Sequence, residues 1–141
     1  MKKISVIYWS GTGNTEQMAK AVAEGAKSNE TEVSLITAGK AGIEDVSGSY
    51  SIAFGCPSMG AEELDSDEME PFIAAVEKET IKGKNIILFG SYDWGDGQWM
   101  REWEERMKTA GAIVIKTLIV QNTPDEDDIL KCKELGRKLS V

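Results

Sequence analysis

The beginning of the chain most limits what it can fold into. Lys2-Lys3-Ile4-Ser5-Val6-Ile7-Tyr8-Trp9 is a near-continuous apolar run, the habit of a parallel strand covered on both faces. Ser10-Gly11-Thr12-Gly13-Asn14-Thr15 follows directly, and Met18, Ala19, Val22, Ala23 and Ala26 then fall on one helical stripe. A strand, a tight polar turn and a helix start point free backbone N–H groups and the positive helix end at one spot.

The guest that suits this turn is a phosphate. Ser10, Thr12, Asn14 and Thr15 offer hydroxyl and amide donors, while Gly11 and Gly13 let backbone approach closely. A triphosphate-binding loop would need G-x-x-x-x-G-K-[ST], and the turn holds no lysine or arginine. A dinucleotide loop would need G-x-G-x-x-G, and Glu16 takes its third glycine place. A single phosphate monoester held by neutral donors fits better than either. A glycine-rich turn with no ligand reads the same in isolation.

The 141 residues suit one domain, 1–141, with a real core. No apolar run reaches the roughly 18 residues of a membrane span, and Met1-Lys2-Lys3 leads into a strand rather than a signal peptide. A cytoplasmic location is therefore expected. Net charge is −8, which disfavours nucleic acid and anionic membranes and favours basic protein partners. With no histidine, the chain lacks the usual general base and the commonest zinc ligand. Cys56 and Cys132 stand too far apart for a metal motif and read as buried thiols.

Further strands are expected at Glu32–Ile36, Ser51–Gly55, Lys84–Ser91 and Ile113–Val120, the last irregular at Lys116-Thr117. Only a short helix fits between Thr37 and Gly48. Longer helices are expected over Pro71–Thr80 and Gln98–Ala110, the second closed by Gly111, and after a Thr123 cap. This alternation implies an α/β fold, a doubly wound five-stranded parallel sheet of order 2-1-3-4-5 with helices on both faces. The turns after strands 1, 3 and 4 then share the carboxyl edge.

The turn after strand 3 reads Cys56-Pro57-Ser58-Met59-Gly60-Ala61-Glu62, and that after strand 4 reads Ser91-Tyr92-Asp93-Trp94-Gly95-Asp96-Gly97. A flat ring system could lie between Met59 and Trp94. With the first loop and the run Val120-Gln121-Asn122-Thr123-Pro124-Asp125, these stretches resemble short-chain flavodoxins of the clostridial type. The chain also lacks the insertion that splits strand 5 in the longer class.

The resemblance implies noncovalent FMN and low-potential one-electron transfer, mainly between semiquinone and hydroquinone, with no substrate chemistry. Ser10, Gly11, Thr12, Gly13, Asn14 and Thr15 would take the phosphate. Pro57, Ser58, Met59, Gly60, Ala61 and Glu62 would lie along the flavin from one side. Ser91, Tyr92, Asp93, Trp94, Gly95 and Gly97 would do so from the other. Glu62 would accept from flavin N3–H, and the Gly60-Ala61 peptide would face N5 and flip as N5 gains a proton.

Two residues depart from the family's habit: Asp93, where glycine is often found, and Ala61, where aspartate, glycine or asparagine is common. One turn form needs positive φ at Gly60, the other at Ala61, where a Cβ costs roughly 1–2 kcal/mol. Alanine should therefore favour the flipped form and raise the oxidised/semiquinone potential.

Glu62, Glu63, Asp65, Asp67, Glu68 and Glu70, with Asp93 and Asp96, crowd the same edge. One carboxylate about 10 Å from an anionic flavin costs roughly 1.7 kcal/mol at an effective dielectric near 20. Expected partners are ferredoxin-type oxidoreductases or reductases with basic docking faces, met by a monomer. A signalling receiver domain is excluded, because Trp9-Ser10-Gly11 and Cys56-Pro57-Ser58 stand where its acids belong. An FMN-dependent NAD(P)H:quinone or nitro reductase is the alternative; it would need a further pocket.

Overall fold

The computed structural model describes residues 1–141. Its five strands, β1 (Lys2–Tyr8), β2 (Thr31–Thr37), β3 (Ser51–Gly55), β4 (Asn85–Tyr92) and β5 (Ile113–Gln121), form one parallel sheet of order β2-β1-β3-β4-β5. That is the expected fold. β1, β3 and β4 are the central strands, and their near-continuous apolar sequences follow from cover on both faces.

Helices α1 (Asn14–Ala26), α2 (Ile43–Ser47), α3 (Met69–Val76), α4 (Gln98–Thr109) and α5 (Glu126–Arg137) complete the winding. One core lies under α1 and α5, where Met18, Val22, Cys132 and Leu135 meet Ile4, Val6, Ile87 and Phe89. The other lies under α2, α3 and α4, where Val46, Ile73, Trp99 and Trp103 meet Ile7, Ile52, Phe54 and Leu88. Burial pushes the thiols of Cys56 and Cys132 up to about 12, so both stay protonated at neutral pH. No helix is long and apolar enough to cross a membrane.

Three elements differ from what the sequence predicts, each for a tertiary or capping reason. α3 begins at Met69 because the buried Asp65 carboxylate accepts from the amides of Glu68 (2.8 Å) and Met69 (3.0 Å). It ends at Val76, whose carbonyl accepts from the Ile81 amide as Ile81 turns into the core. α5 is capped by Asp125, not Thr123: Asp125 and Asp128 each accept the other's amide, at 2.8 and 3.0 Å. In β5 the irregularity falls at Ile115, since Ile86 pairs with Val114 but Ile87 with Lys116. One extra residue reverses the faces beyond it: Val114 packs on the α3/α4 core, Leu118 and Val120 on the α1/α5 core.

Arg106 of α4 ties that helix to α3, meeting Glu70 through two hydrogen bonds (2.8 and 2.7 Å) and Glu77 through two more (both 2.8 Å). Its hydrogen bonds hold the Glu77 carboxyl below the 4.5 of a free glutamate. A depressed acid stabilises the fold above its unfolded value and loses that contribution as pH falls through its folded one. Urea midpoints should therefore drop below pH 4.5, and Arg106→Gln should flatten that part of the pH profile. An unchanged profile in the variant would show the network to be stability-neutral.

Candidate functional site

β1, β3 and β4 all end at one edge of the sheet, so the three candidate loops meet where the strand order reverses between β1 and β3. The first loop turns through Gly13, whose φ of 100° is the left-handed conformation glycine supplies without a Cβ penalty. Ser10 Oγ accepts from the amides of Gly13 (3.1 Å) and Glu16 (3.2 Å), shaping the loop from inside. The Thr12 hydroxyl lies 3.5 Å from the Asn14 amide. The amides of Gly11, Thr12 and Thr15 have no acceptor in the chain. A helix N-terminus ringed by free N–H groups and hydroxyls is the donor set a phosphate monoester requires.

Thr15 and Ser91 have a different place from the rest of the set. Both are buried, and their hydroxyls bond each other at 2.7 Å, with the Ser91 amide also donating to Thr15 Oγ1. They fasten the start of α1 to the end of β4, and so set the first loop against the third.

The second loop is joined to the third by backbone and side chain. Ser58 donates its amide to the Ser91 carbonyl at 3.0 Å. Met59 and Glu63 exchange two backbone hydrogen bonds, each 2.8 Å, closing a loop of Gly60, Ala61 and Glu62. Positive φ falls at Gly60 (51°) and Glu62 (58°), and not at Ala61. From sequence, Gly60 and Ala61 are the two candidates for a left-handed residue; in the structure Gly60 is left-handed and so is Glu62, which the sequence does not single out. The Met59–Glu63 pairing moves the second left-handed position one residue on. There the Glu62 carboxylate reaches the third loop, accepting from the Gln98 amide at 3.1 Å. It thereby supplies the side-chain cap that Gly97, at φ 97°, cannot give to α4.

Gly95 makes room for that carboxylate, because a Cβ there would lie 2.8 Å from Glu62 Oε1. Beneath both loops the buried Trp99 donates to the Cys56 carbonyl at 3.1 Å and packs against Tyr92, ring centroids 5.6 Å apart. Pro57 is partly buried at the start of its loop, Asp93 is exposed, and the Asp93 carbonyl accepts from Gln121 at 3.2 Å. Trp94 is 60% exposed, a large apolar surface that contributes nothing to the core.

Trp9, which the sequence marks only as the end of a strand, lies beside this site. Its ring lies against Gly11, where a Cβ would come within 3.0 Å of it, and its indole donates to Glu68 at 3.2 Å. With Glu68, Thr37 and the first loop it borders a cleft of about 480 Å³. A bulky aromatic directly before a glycine-rich turn was the available signal.

The acidic edge is less uniform than its sequence. Asp65 caps α3, Glu70 pairs with Arg106, and Asp96 pairs with Arg101 at 2.9 Å. Glu63, Asp67 and Asp93 remain exposed without a cationic partner. The net field is therefore smaller than a count of eight carboxylates suggests.

A doubly wound parallel sheet of this order, with a cation-free glycine- and hydroxyl-rich loop and two further loops meeting at its switch point, defines an α/β protein whose candidate site is that crevice. The flavodoxin family profile matches residues 6–136. The flavodoxin of Clostridium beijerinckii is 44% identical over 138 residues, which cover 97% of this chain and 99% of that protein. That of Megasphaera elsdenii is 42% identical over 133 residues, covering 94% of this chain and 95% of that protein. The solution structure of two-electron-reduced Megasphaera elsdenii flavodoxin superposes with a TM-score of 0.88, covering 97% of this chain and 98% of that one. The chain belongs to the flavodoxin family, a family of flavin-binding electron carriers.

Proposed function

We propose that the protein is a cytoplasmic, monomeric, low-potential one-electron carrier that holds FMN noncovalently. Bound FMN supplies the electron exchange, cycling mainly between its semiquinone and hydroquinone. The observation that carries this reading is the convergence of three acceptor-free amides, with no cation beside them, on the edge that also presents Met59 and Trp94. Ser10 through Thr15 hold the phosphate, Met59 and Trp94 exclude water from the two ring faces, and Glu62 orients the ring edge. The exposed Glu63, Asp67 and Asp93 disfavour added negative charge nearby and attract basic faces of ferredoxin-type oxidoreductases or reductases.

The test is an anaerobic redox titration followed by visible spectrum. Yellow protein should turn blue and then pale, and NADH or NADPH alone should leave it yellow. Positive φ at Gly60 and not at Ala61 supports the expected bias of this turn. Ala61→Gly should accordingly lower the first potential, by at most roughly 60 mV, the equivalent of about 1.4 kcal/mol of relieved strain. Colourless protein that refuses FMN would overturn the assignment. A rise in the Ala61→Gly potential would overturn the turn argument alone.

A further inference from the structure

Away from the three loops, the chain builds a second concave site. Between edge strand β5 and the outer side of α5 lies a cleft of about 660 Å³, within the small-molecule range. Leu118 and Leu135 give it an apolar floor, and Lys116, Lys131, Arg137 and Lys138 line it. None of these four cations has a carboxylate within 4.0 Å, and Glu134 is the one acidic side chain in the lining. In a chain of net charge −8, where acids are plentiful, four cations gather around one hollow with only the Glu134 side chain there to offset them, and none of them is in a direct ion pair.

Local explanations account for part of this cluster. Arg137 and Lys138 sit at the C-terminal end of α5, where the helix dipole favours positive charge. An inward-facing lysine on β5 would protect an edge strand. Neither brings Lys131 to the same hollow. The register shift at Ile115 turns the strand beyond it, so that Lys116 lines the α5 side along with Leu118 and not the α3/α4 side with Val114. The cleft also extends toward the edge opposite the candidate flavin loops. Lys2 Nζ donates to the Ser140 carbonyl at 2.8 Å, placing the 3-10 turn that follows α5, Lys138–Ser140, beside the start of β1.

We propose that this cleft binds a polyphosphate anion carried on an apolar body, the chemistry of a nucleoside triphosphate. Lys116 and Lys131 approach the phosphoryl charges from the strand and the helix. Arg137 gives a planar, bidentate contact, and Leu118 and Leu135 receive the apolar part. The proposal is independent of the flavin reading, since it shares no residue with it.

Residue-resolved NMR titration of FMN-loaded protein with ATP, and separately with inorganic tripolyphosphate, tests it. Saturable shifts are expected at Lys116, Leu118, Lys131, Leu135 and Arg137, and none at Ser10–Thr15. Tighter binding of ATP assigns a nucleotide, whereas equal affinity assigns a free polyphosphate chain. The double substitution Lys116→Glu and Lys131→Glu should weaken binding more than tenfold at low salt, with circular dichroism and the flavin spectrum unchanged. Lys131→Gln alone should weaken it several-fold. Absence of saturable shifts in the cleft, or equal affinity in the charge-reversed protein, would overturn the site.

Discussion

Gly136→Ala should cost the fold about 3 kcal/mol or more, and Gly25→Ala a similar amount. A Cβ on Gly136 would stand 2.0 Å from the Val22 carbonyl oxygen, and one on Gly25 would stand 1.9 Å from that of Lys133. In both cases the obstacle is backbone, so no side-chain rotation relieves it. Alanine's better helix propensity returns only about 1 kcal/mol, which leaves a large net loss. α1 and α5 would have to separate over the core that Val22 and Leu135 share. The melting temperature should fall by roughly 10 °C for a chain of this size. FMN affinity should fall with it, because α1 carries the candidate phosphate loop at its other end. A loss below about 1 kcal/mol in chemical denaturation would show that the two helices are free to slide apart.

The second large effect is electrostatic and confined to the ligand. Thr12 is exposed, its hydroxyl lies beside the Asn14 amide, and the loop's nearest amides have no acceptor in the chain. Thr12→Glu places a carboxylate roughly 5 Å from a bound phosphate dianion. At an effective dielectric between those of protein and water this costs about 3 kcal/mol. FMN binding should weaken more than a hundredfold, while riboflavin, which lacks the phosphate, should bind as before. Thr12→Ala should cost about tenfold at most, through one lost hydrogen bond. Equal losses for FMN and riboflavin would mean that the substitution disturbs the fold and not a phosphate contact. Calorimetry with the two flavins, on protein whose circular dichroism is unchanged, separates these outcomes.

Both predictions rest on glycine and hydroxyl residues, yet only one group was legible beforehand. Ser10 through Thr15 stand between a continuous apolar run and a helical stripe, so their chemistry is local and reads straight from the chain. Gly25 and Gly136 sit within helical segments with nothing nearby to mark them. Their role comes from a contact between helices joined only by the whole length of the sheet. The same distinction separates Asp67, exposed as its sequence suggests, from Asp65, buried as a cap for α3.

By itself the sequence determined the order of strands and helices, the doubly wound class, a candidate phosphate loop and the flavodoxin resemblance. The elements and the fold class follow from residue periodicity, the loop from neighbours within a few positions, and the resemblance from short motifs matched to a known family. The tertiary structure alone decided that Glu62 caps α4 and that Thr15 and Ser91 clasp two loops together. It also brought Trp9 to the first loop and put Lys116 and Lys131 in the lining of one cleft. These arrangements depend on how crossovers and one extra residue in β5 set distant side chains face to face, and sequence spacing carries no record of that.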